Sequence, residues 1–162
     1  MDGKMTTLEI IGLAVKSEQD ASDFYKKVAG AIKNEVVKIK YENLSREELG
    51  HKALLKGLYS KLTGGGALPK DIKGAPLTAE SGFPVAVTDL EGALLLAISR
   101  EQEANRFYLN AATRTDDQSA CRILQYLADM EKGHELTLSG ELESFRRDRD
   151  WYANNPEIQL LG

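Results

Sequence analysis

Hydrophobic residues recur every three or four positions through four long segments of the chain. This period is typical of helices that bury one face, and no segment alternates with period two for long enough to predict a strand. The sequence therefore predicts an all-α protein with helices over about residues 6–30, 34–63, 88–114 and 115–148.

Cap residues support these boundaries. Three helix starts have the spacing of a capping box, in which a Thr side chain and a Glu or Gln side chain each bond the backbone of the other residue: Thr6-x-x-Glu9, Thr88-x-x-Glu91 and Thr115-x-x-Gln118. Asn34 is a candidate cap for the second helix. Gly30 and the glycines at 64–66 predict the ends of the first and second helices.

The connection over about residues 64–87 is much longer than the other two and contains three of the four prolines. Such a connection is uncommon within a compact domain, but some four-helix bundles carry one long crossover. The short links predict antiparallel neighbours. We therefore expect an antiparallel four-helix bundle over residues 1–148, with the crossover between helices 2 and 3. Residues 149–162 are expected to form a C-terminal tail that packs on the bundle or on a partner.

Charge and composition narrow the function classes. The net charge is −4, whereas binding to duplex nucleic acid needs a basic surface, so no nucleic-acid partner is expected. No run of 18 apolar residues and no apolar core of a signal peptide is present, so no membrane association is expected either. Cys121 is the only cysteine, which leaves no Cys-x-x-Cys metal site and favours a reducing cytoplasm.

The two halves of the chain repeat. Residues 14–25 read AVKSEQDASDFY and residues 97–108 read AISREQEANRFY, with six identities at an offset of 83 residues (97 − 14). The same offset relates residues 44–51, LSREELGH, to residues 127–134, LADMEKGH. It pairs Glu18 with Glu101, Glu48 with Glu131 and His51 with His134. Duplication of a helical hairpin explains such a repeat.

The repeated polar residues lie on the apolar stripes of their helices. Glu48 and His51 interrupt the stripe of Tyr41, Leu44 and Leu55, and their repeat counterparts do the same on the fourth helix. Residues three apart on a helix share one face. Six side chains are therefore predicted to point into the core: Glu18, Glu48, His51, Glu101, Glu131 and His134.

Four carboxylates cannot be buried together as unpaired charges. The stripes carry too few Lys or Arg side chains to pair them, whereas two divalent cations would balance them and two imidazoles would complete the coordination. One Glu from each of two helices with Glu-x-x-His from the other two is a di-iron ligand set. We expect two iron ions per chain, and ligand type alone leaves manganese and zinc as alternatives.

Three further residues have two interpretations each. Tyr25 and Tyr108 follow Glu18 and Glu101 by seven residues, on the same face, either as hydrogen-bond donors to ligand carboxylates or as core tyrosines. Glu47 could orient a histidine, although a solvated surface role is favoured. Its repeat counterpart is Met130, so an orienting role would not be shared by both halves. Gly50 and Gly133 precede the two histidines, which suggests close approach between helices there.

The paired AxxxExxxxxFY and ExxH segments resemble the rubrerythrin-like branch of the ferritin-like superfamily, over about residues 6–145. This resemblance implies a ferritin-like bundle, usually dimeric, with Glu18, Glu48, Glu101 and Glu131 at the reacting centre. Two features of rubrerythrins are missing. The chain lacks their rubredoxin-like module, and Ala104 occupies the position of their additional third-helix glutamate.

These features lead to one main functional expectation and two alternatives. The main expectation is a di-iron oxidoreductase that reduces hydrogen peroxide or dioxygen in response to oxidative stress, with an external rubredoxin-like or flavoprotein-like electron donor. The alternatives are an iron-handling protein that oxidises Fe(II), and a non-catalytic dimer that senses metal or redox state.

Overall fold

In the computed structural model, residues 5–70 and 90–154 are described. Both stretches are built of α-helices joined by turns. The helices are α1 (Thr7–Ala31), α2 (Glu35–Leu62), α3 (Leu90–Thr113), α4 (Gln118–Arg147) and a short α5 (Arg149–Asn154). The predicted all-α ferritin-like bundle is confirmed, and its four long helices lie within three residues of the predicted boundaries. Among the described helices, none is long and apolar enough to cross a membrane.

The predicted N-terminal caps of α1 and α2 are present, but the predicted stop at Gly30 is wrong, because α1 runs through it and has Ile32 as its C-cap. The Thr6 N–H donates to Glu9 Oε2 at 2.7 Å, and the Glu9 N–H donates to Thr6 Oγ1 at 3.2 Å, which completes the capping box. The Asn34 carboxamide oxygen accepts from the first free N–H groups of α2. Past the end of α2, Gly64 and Gly65 adopt positive φ angles of 66° and 100°, a conformation that glycine tolerates best.

The predicted cap of α4 is wrong. The helix begins at Gln118, and the Asp117 side chain accepts from Ala120 N at 2.8 Å. The Thr115 hydroxyl instead donates to the carbonyl of Ala111 at the end of α3. The predicted cap of α3, Thr88, lies outside the described residues.

Side-chain contacts fix the directions of the helices. Contacts between α1 and α3 join residue 18 to 108 and residue 25 to 101, so these helices are antiparallel. Contacts between α2 and α4 run from Lys40–Glu141 to Lys61–Ser119, so these are antiparallel too. Because α1 and α2 form an antiparallel hairpin, α2 and α3 must be parallel. The end of α2 and the start of α3 therefore lie at opposite ends of the bundle, so a short turn cannot join them.

The core consists of two apolar clusters, one towards each end of the bundle. Members of the first cluster include Phe24, Tyr25, Tyr41 and Leu138. Members of the second include Ile11, Leu55, Tyr108 and Leu124. The six predicted site residues lie between the clusters in the sequence of each helix. A polar layer therefore crosses the middle of an otherwise apolar core.

The first residues of the predicted tail form α5, which packs on the bundle. Its Tyr152 is buried, and its hydroxyl lies 2.6 Å from the Tyr41 hydroxyl and donates to Glu141 Oε2 at 2.8 Å. Lys40 Nζ contacts the other Glu141 oxygen at 2.7 Å. Asn34 adds a hydrogen bond to the carbonyl of Trp151. These contacts hold α5 against the turn between α1 and α2.

Candidate metal centre

The structure brings all six predicted side chains together in the middle of the bundle. None is more than 4% exposed: Glu18, Glu48, His51, Glu101, Glu131 and His134. They form two overlapping groups whose nitrogen and oxygen atoms lie within 4.8 Å of one another, one of Glu18, Glu48, His51 and Glu131 and one of Glu48, Glu101, Glu131 and His134. Glu48 and Glu131 belong to both groups, so each can reach two metal positions.

The first group surrounds one nitrogen of His51. Its Nδ1 atom lies 2.9 Å from Glu131 Oε1, 3.2 Å from Glu48 Oε2 and 3.6 Å from Glu18 Oε2. The carboxylates reach this nitrogen from three different helices, which leaves Nδ1 as the atom of His51 that faces the cluster.

The second group repeats this arrangement. His134 Nδ1 lies 3.0 Å from Glu48 Oε1, 3.3 Å from Glu131 Oε2 and 3.8 Å from Glu101 Oε1. The two imidazole rings stack with centroids 5.4 Å apart and planes inclined by 18°. The sequence repeat thus produces a pseudo-twofold site in which Glu48 and Glu131 each turn one oxygen to either histidine.

The central atoms of both groups lie close to one another without hydrogen-bond geometry. Within the described part of the chain, no partner with hydrogen-bond geometry exists for Glu48 Oε1 and Oε2, Glu131 Oε1, His51 Nδ1 or His134 Nδ1. Leaving buried polar atoms unsatisfied is costly. Buried ligand atoms that lie within 4.8 Å of one another, several of them without hydrogen-bond partners, are what a metal site requires, so the residues fit a pair of divalent cations.

The two outer carboxylates are held by tyrosines from the opposite half of the repeat. The Tyr25 hydroxyl donates to Glu101 Oε1, and the Tyr108 hydroxyl donates to Glu18 Oε1. Both tyrosines are buried. Of the two interpretations of these residues, the structure thus supports hydrogen bonding to the cluster, and it shows that both also belong to the apolar core.

Burial and mutual contacts perturb the acid–base properties of the cluster. Burial, reinforced by the nearby Glu48, raises the pKa of Glu18 and of Glu101 well above the ordinary value. Burial lowers the pKa of the two imidazoles, but their carboxylate neighbours outweigh it and raise the pKa of His51 to about 12 and that of His134 to about 10. As a set of protein groups alone, the cluster therefore retains protons to neutralise its charge.

One contact departs from the favoured prediction. Glu47 is half-exposed, but its Oε2 atom lies 2.8 Å from His134 Nε2. Glu47 therefore lies at the surface, as favoured, but its carboxylate also contacts a site residue. The sequence of α2 alone could not predict this contact, because its partner, His134, lies on α4. The suggested close approach at Gly50 and Gly133 is wrong, because an added Cβ would meet nothing within 4 Å at either position.

Known proteins share both the sequence pattern and the fold. The rubrerythrin family model matches residues 9–142. An uncharacterised protein, YhjR, from Bacillus subtilis is 28% identical over 121 residues, which cover 75% of this chain and 76% of that protein.

Two solved structures are also similar. A hypothetical protein from Pyrococcus furiosus superposes with a TM-score of 0.73 at 35% identity, over 88% of this chain and 92% of that one. A bacterioferritin from Rhodobacter capsulatus, whose structure has a metal-free dinuclear site, superposes with a TM-score of 0.70 at 21% identity, over 91% and 89% of the two chains. The second likeness shows the ferritin-like fold alone. With the family model matching most of the four-helix region, this chain belongs to the rubrerythrin family.

Proposed function

We propose that this protein is a di-iron oxidoreductase that reduces hydrogen peroxide or dioxygen. The observation that carries the proposal is the buried layer of four carboxylates and two imidazoles. Within the described residues, its central atoms lack hydrogen-bond partners, namely both Glu48 oxygens, Glu131 Oε1 and the Nδ1 atoms of His51 and His134. The metal ligands in this proposal are Glu18, Glu48, His51, Glu101, Glu131 and His134.

Charge supports a pair of divalent cations at this position. Four ionised carboxylates and two neutral imidazoles carry four negative charges, which two divalent ions would balance. The protons that neutralise the protein groups would leave as metal enters. A mixed carboxylate and imidazole set with oxygen in excess suits iron, and we propose iron ahead of manganese and zinc.

The proposed roles of the residues differ with their positions in the site. Glu48 and Glu131 are shared between the two groups and would hold the metals as a pair. Tyr25 fixes the orientation of Glu101 through its hydroxyl, and Tyr108 does the same for Glu18. The apolar clusters on either side keep bulk water away from the centre.

Two ferrous ions would supply the two electrons that convert hydrogen peroxide, with two protons, to two water molecules, or dioxygen, with two protons, to hydrogen peroxide. The chain then needs two electrons from outside, because its sequence contains no Cys-x-x-Cys pair for an internal relay. We propose a rubredoxin-like or flavoprotein-like donor and a homodimeric protein, as the family resemblance implies.

Metal analysis tests the proposal. Protein loaded anaerobically with Fe(II) and freed of excess metal should contain two irons per chain, and oxidation should produce a visible absorption band. An iron content near zero per chain, with the helical content intact, would overturn the hypothesis of a two-metal site. Two bound irons that react with neither oxidant would support the non-catalytic sensor instead. Rapid oxidation followed by loss of iron from the site would support iron handling.

A further inference from the structure

The pseudo-twofold symmetry of the site is broken at Glu47. Its carboxylate contacts His134 Nε2 at 2.8 Å. The repeat places Met130 at the equivalent position on α4, and a thioether is at most a weak acceptor. Within the described residues, the Nε2 atom of His51 has no hydrogen-bond partner. The two histidines therefore present the same nitrogen to the cluster but differ in what holds the other nitrogen.

This difference acts on the ligand atom through the ring. Both histidines face the carboxylates through Nδ1, so a metal-binding ring must carry its proton on Nε2. At His134 that proton can be donated to Glu47, which fixes the tautomer and the ring orientation and makes Nδ1 more basic. Such outer carboxylates commonly change metal affinity by about 10–100-fold. His51 gains no such support.

The residue after each histidine also differs between the two halves. Gln19 accepts from Lys52, the residue after His51, whereas the repeat-related Gln102 donates to Glu135, the residue after His134. A positive side chain thus flanks one position and a negative one the other. Gln19 also donates to Asp23, and Glu135 is paired with Lys132, so each of these charges has an opposite charge nearby. Glu47 therefore remains the difference that contacts a site residue directly.

We propose that the two metal positions are unequal, and that Glu47 is the positioning residue that makes the position beside His134 fill first and bind more tightly. This inference rests on the proposed di-metal site but says nothing about its reaction. The other contacts to the cluster are matched in pairs, as with Tyr25–Glu101 and Tyr108–Glu18, so they cannot distinguish the positions.

Titration of the metal-free full chain with cobalt(II), followed by calorimetry and by the visible ligand-field spectrum, tests this order. Wild-type protein should bind in two resolved steps of one ion each, with different spectra. E47Q should weaken the first step about 10–100-fold and bring the two steps together. E143Q removes the same charge from an exposed position on α4 and should titrate like wild type.

The repeat supplies a complementary variant. M130E places a carboxylate where Glu47 stands in the other half, so it should tighten the second step. Combining E47M with M130E should exchange the order, so that the first ion gives the spectrum of the His51 position. H51A, which retains the first-step spectrum, and H134A, which loses it, identify the positions.

Three outcomes would overturn the inference. Equal affinities in wild type, or an E47Q titration that matches wild type, would remove the role of Glu47 while leaving a two-metal site and the proposed function standing. Failure of wild type to bind cobalt(II) at either position would remove the proposed site together with this inference.

Discussion

The hydroxyl of Tyr25 on α1 donates a hydrogen bond to the carboxylate of Glu101 on α3. The repeat-related residues make the equivalent contact, in which Tyr108 on α3 donates to Glu18 on α1. Each tyrosine therefore supports a carboxylate of the opposite half. This exchange couples the two hairpins through the layer of buried carboxylates and histidines, and it gives both outer carboxylates the same hydrogen-bond donor.

Removing either hydroxyl should have the same effect. Tyr25→Phe and Tyr108→Phe each leave a buried carboxylate oxygen without its donor, at a cost of about 1–3 kcal/mol. Urea unfolding of the metal-free protein measures this loss. Tyr126→Phe, at a side chain that is 52% exposed, should leave the free energy of unfolding unchanged. A large difference between the two core variants would show that the halves are not equivalent here.

Glu131→Ala should abolish paired metal binding, because this carboxylate reaches both histidines. Iron content after anaerobic loading is the measurement, with Glu143→Ala as the control on the exposed face of α4. Glu141 would be a poor control, since it is buried and bonded to Lys40 and Tyr152. Equal iron retention in Glu131→Ala and Glu143→Ala would show that the ligand assignment is wrong.

Metal should stabilise the fold. An ion that binds only the folded chain adds about 2.7 kcal/mol when its free concentration is 100 times Kd. The Tm of wild type should therefore rise when Fe(II) is added anaerobically and fall again on chelation, whereas that of Glu131→Ala should change little. An unchanged Tm in loaded wild type would mean that metal binding and folding are not coupled.

The Tyr152 hydroxyl should stabilise the attachment of α5. Tyr152→Phe removes the donor to Glu141 and the partner of the Tyr41 hydroxyl, so we expect a loss of about 1–3 kcal/mol. Urea unfolding again measures it, and iron content should stay at the wild-type level because the network is separate from the six site residues. Reduced iron binding would instead connect α5 to the site.

The internal repeat made the buried layer of carboxylates and histidines predictable from the sequence. Glu48 and His51 interrupt an apolar stripe at helical spacing, and the second copy makes a chance pattern much less probable. Burial of Glu141 was not predicted, although this residue lies on the same stripe as His134 and Leu138. Its partners Lys40 and Tyr152 could not be predicted either, because they belong to other elements.

Contacts between side chains of different helices could not be predicted from the sequence, for a physical reason. Whether Glu47 meets His134 depends on the rotation and offset of α2 against α4, which local spacing does not determine. The start of α4 posed a similar choice, because Thr115 and Asp117 are both good caps. Thr115 bonds the end of α3, which leaves Asp117 to begin the helix.

The last prediction concerns the oxidant. Ala104 stands where the rubrerythrins that this chain resembles carry an additional glutamate, which exchanges with a histidine as the irons change oxidation state. Its side chain packs against one apolar cluster, and the repeat-related Ala21 packs against the other, so neither offers a carboxylate to the site. With six ligands in a near-symmetric arrangement, the diferrous protein should react with both peroxide and dioxygen, with only a modest preference for peroxide.

Stopped-flow oxidation of the diferrous protein by each oxidant at equal concentration measures this preference. Ala104→Glu restores a carboxylate at the rubrerythrin position and should increase the peroxide rate relative to the dioxygen rate, whereas Ala104→Gln, of similar size but uncharged, should not. Steady turnover should require an added donor in every variant, since Cys121 alone cannot form a relay. A wild-type peroxide rate several orders of magnitude above the dioxygen rate would contradict the argument from Ala104, because a dedicated peroxidase would then operate without the additional ligand.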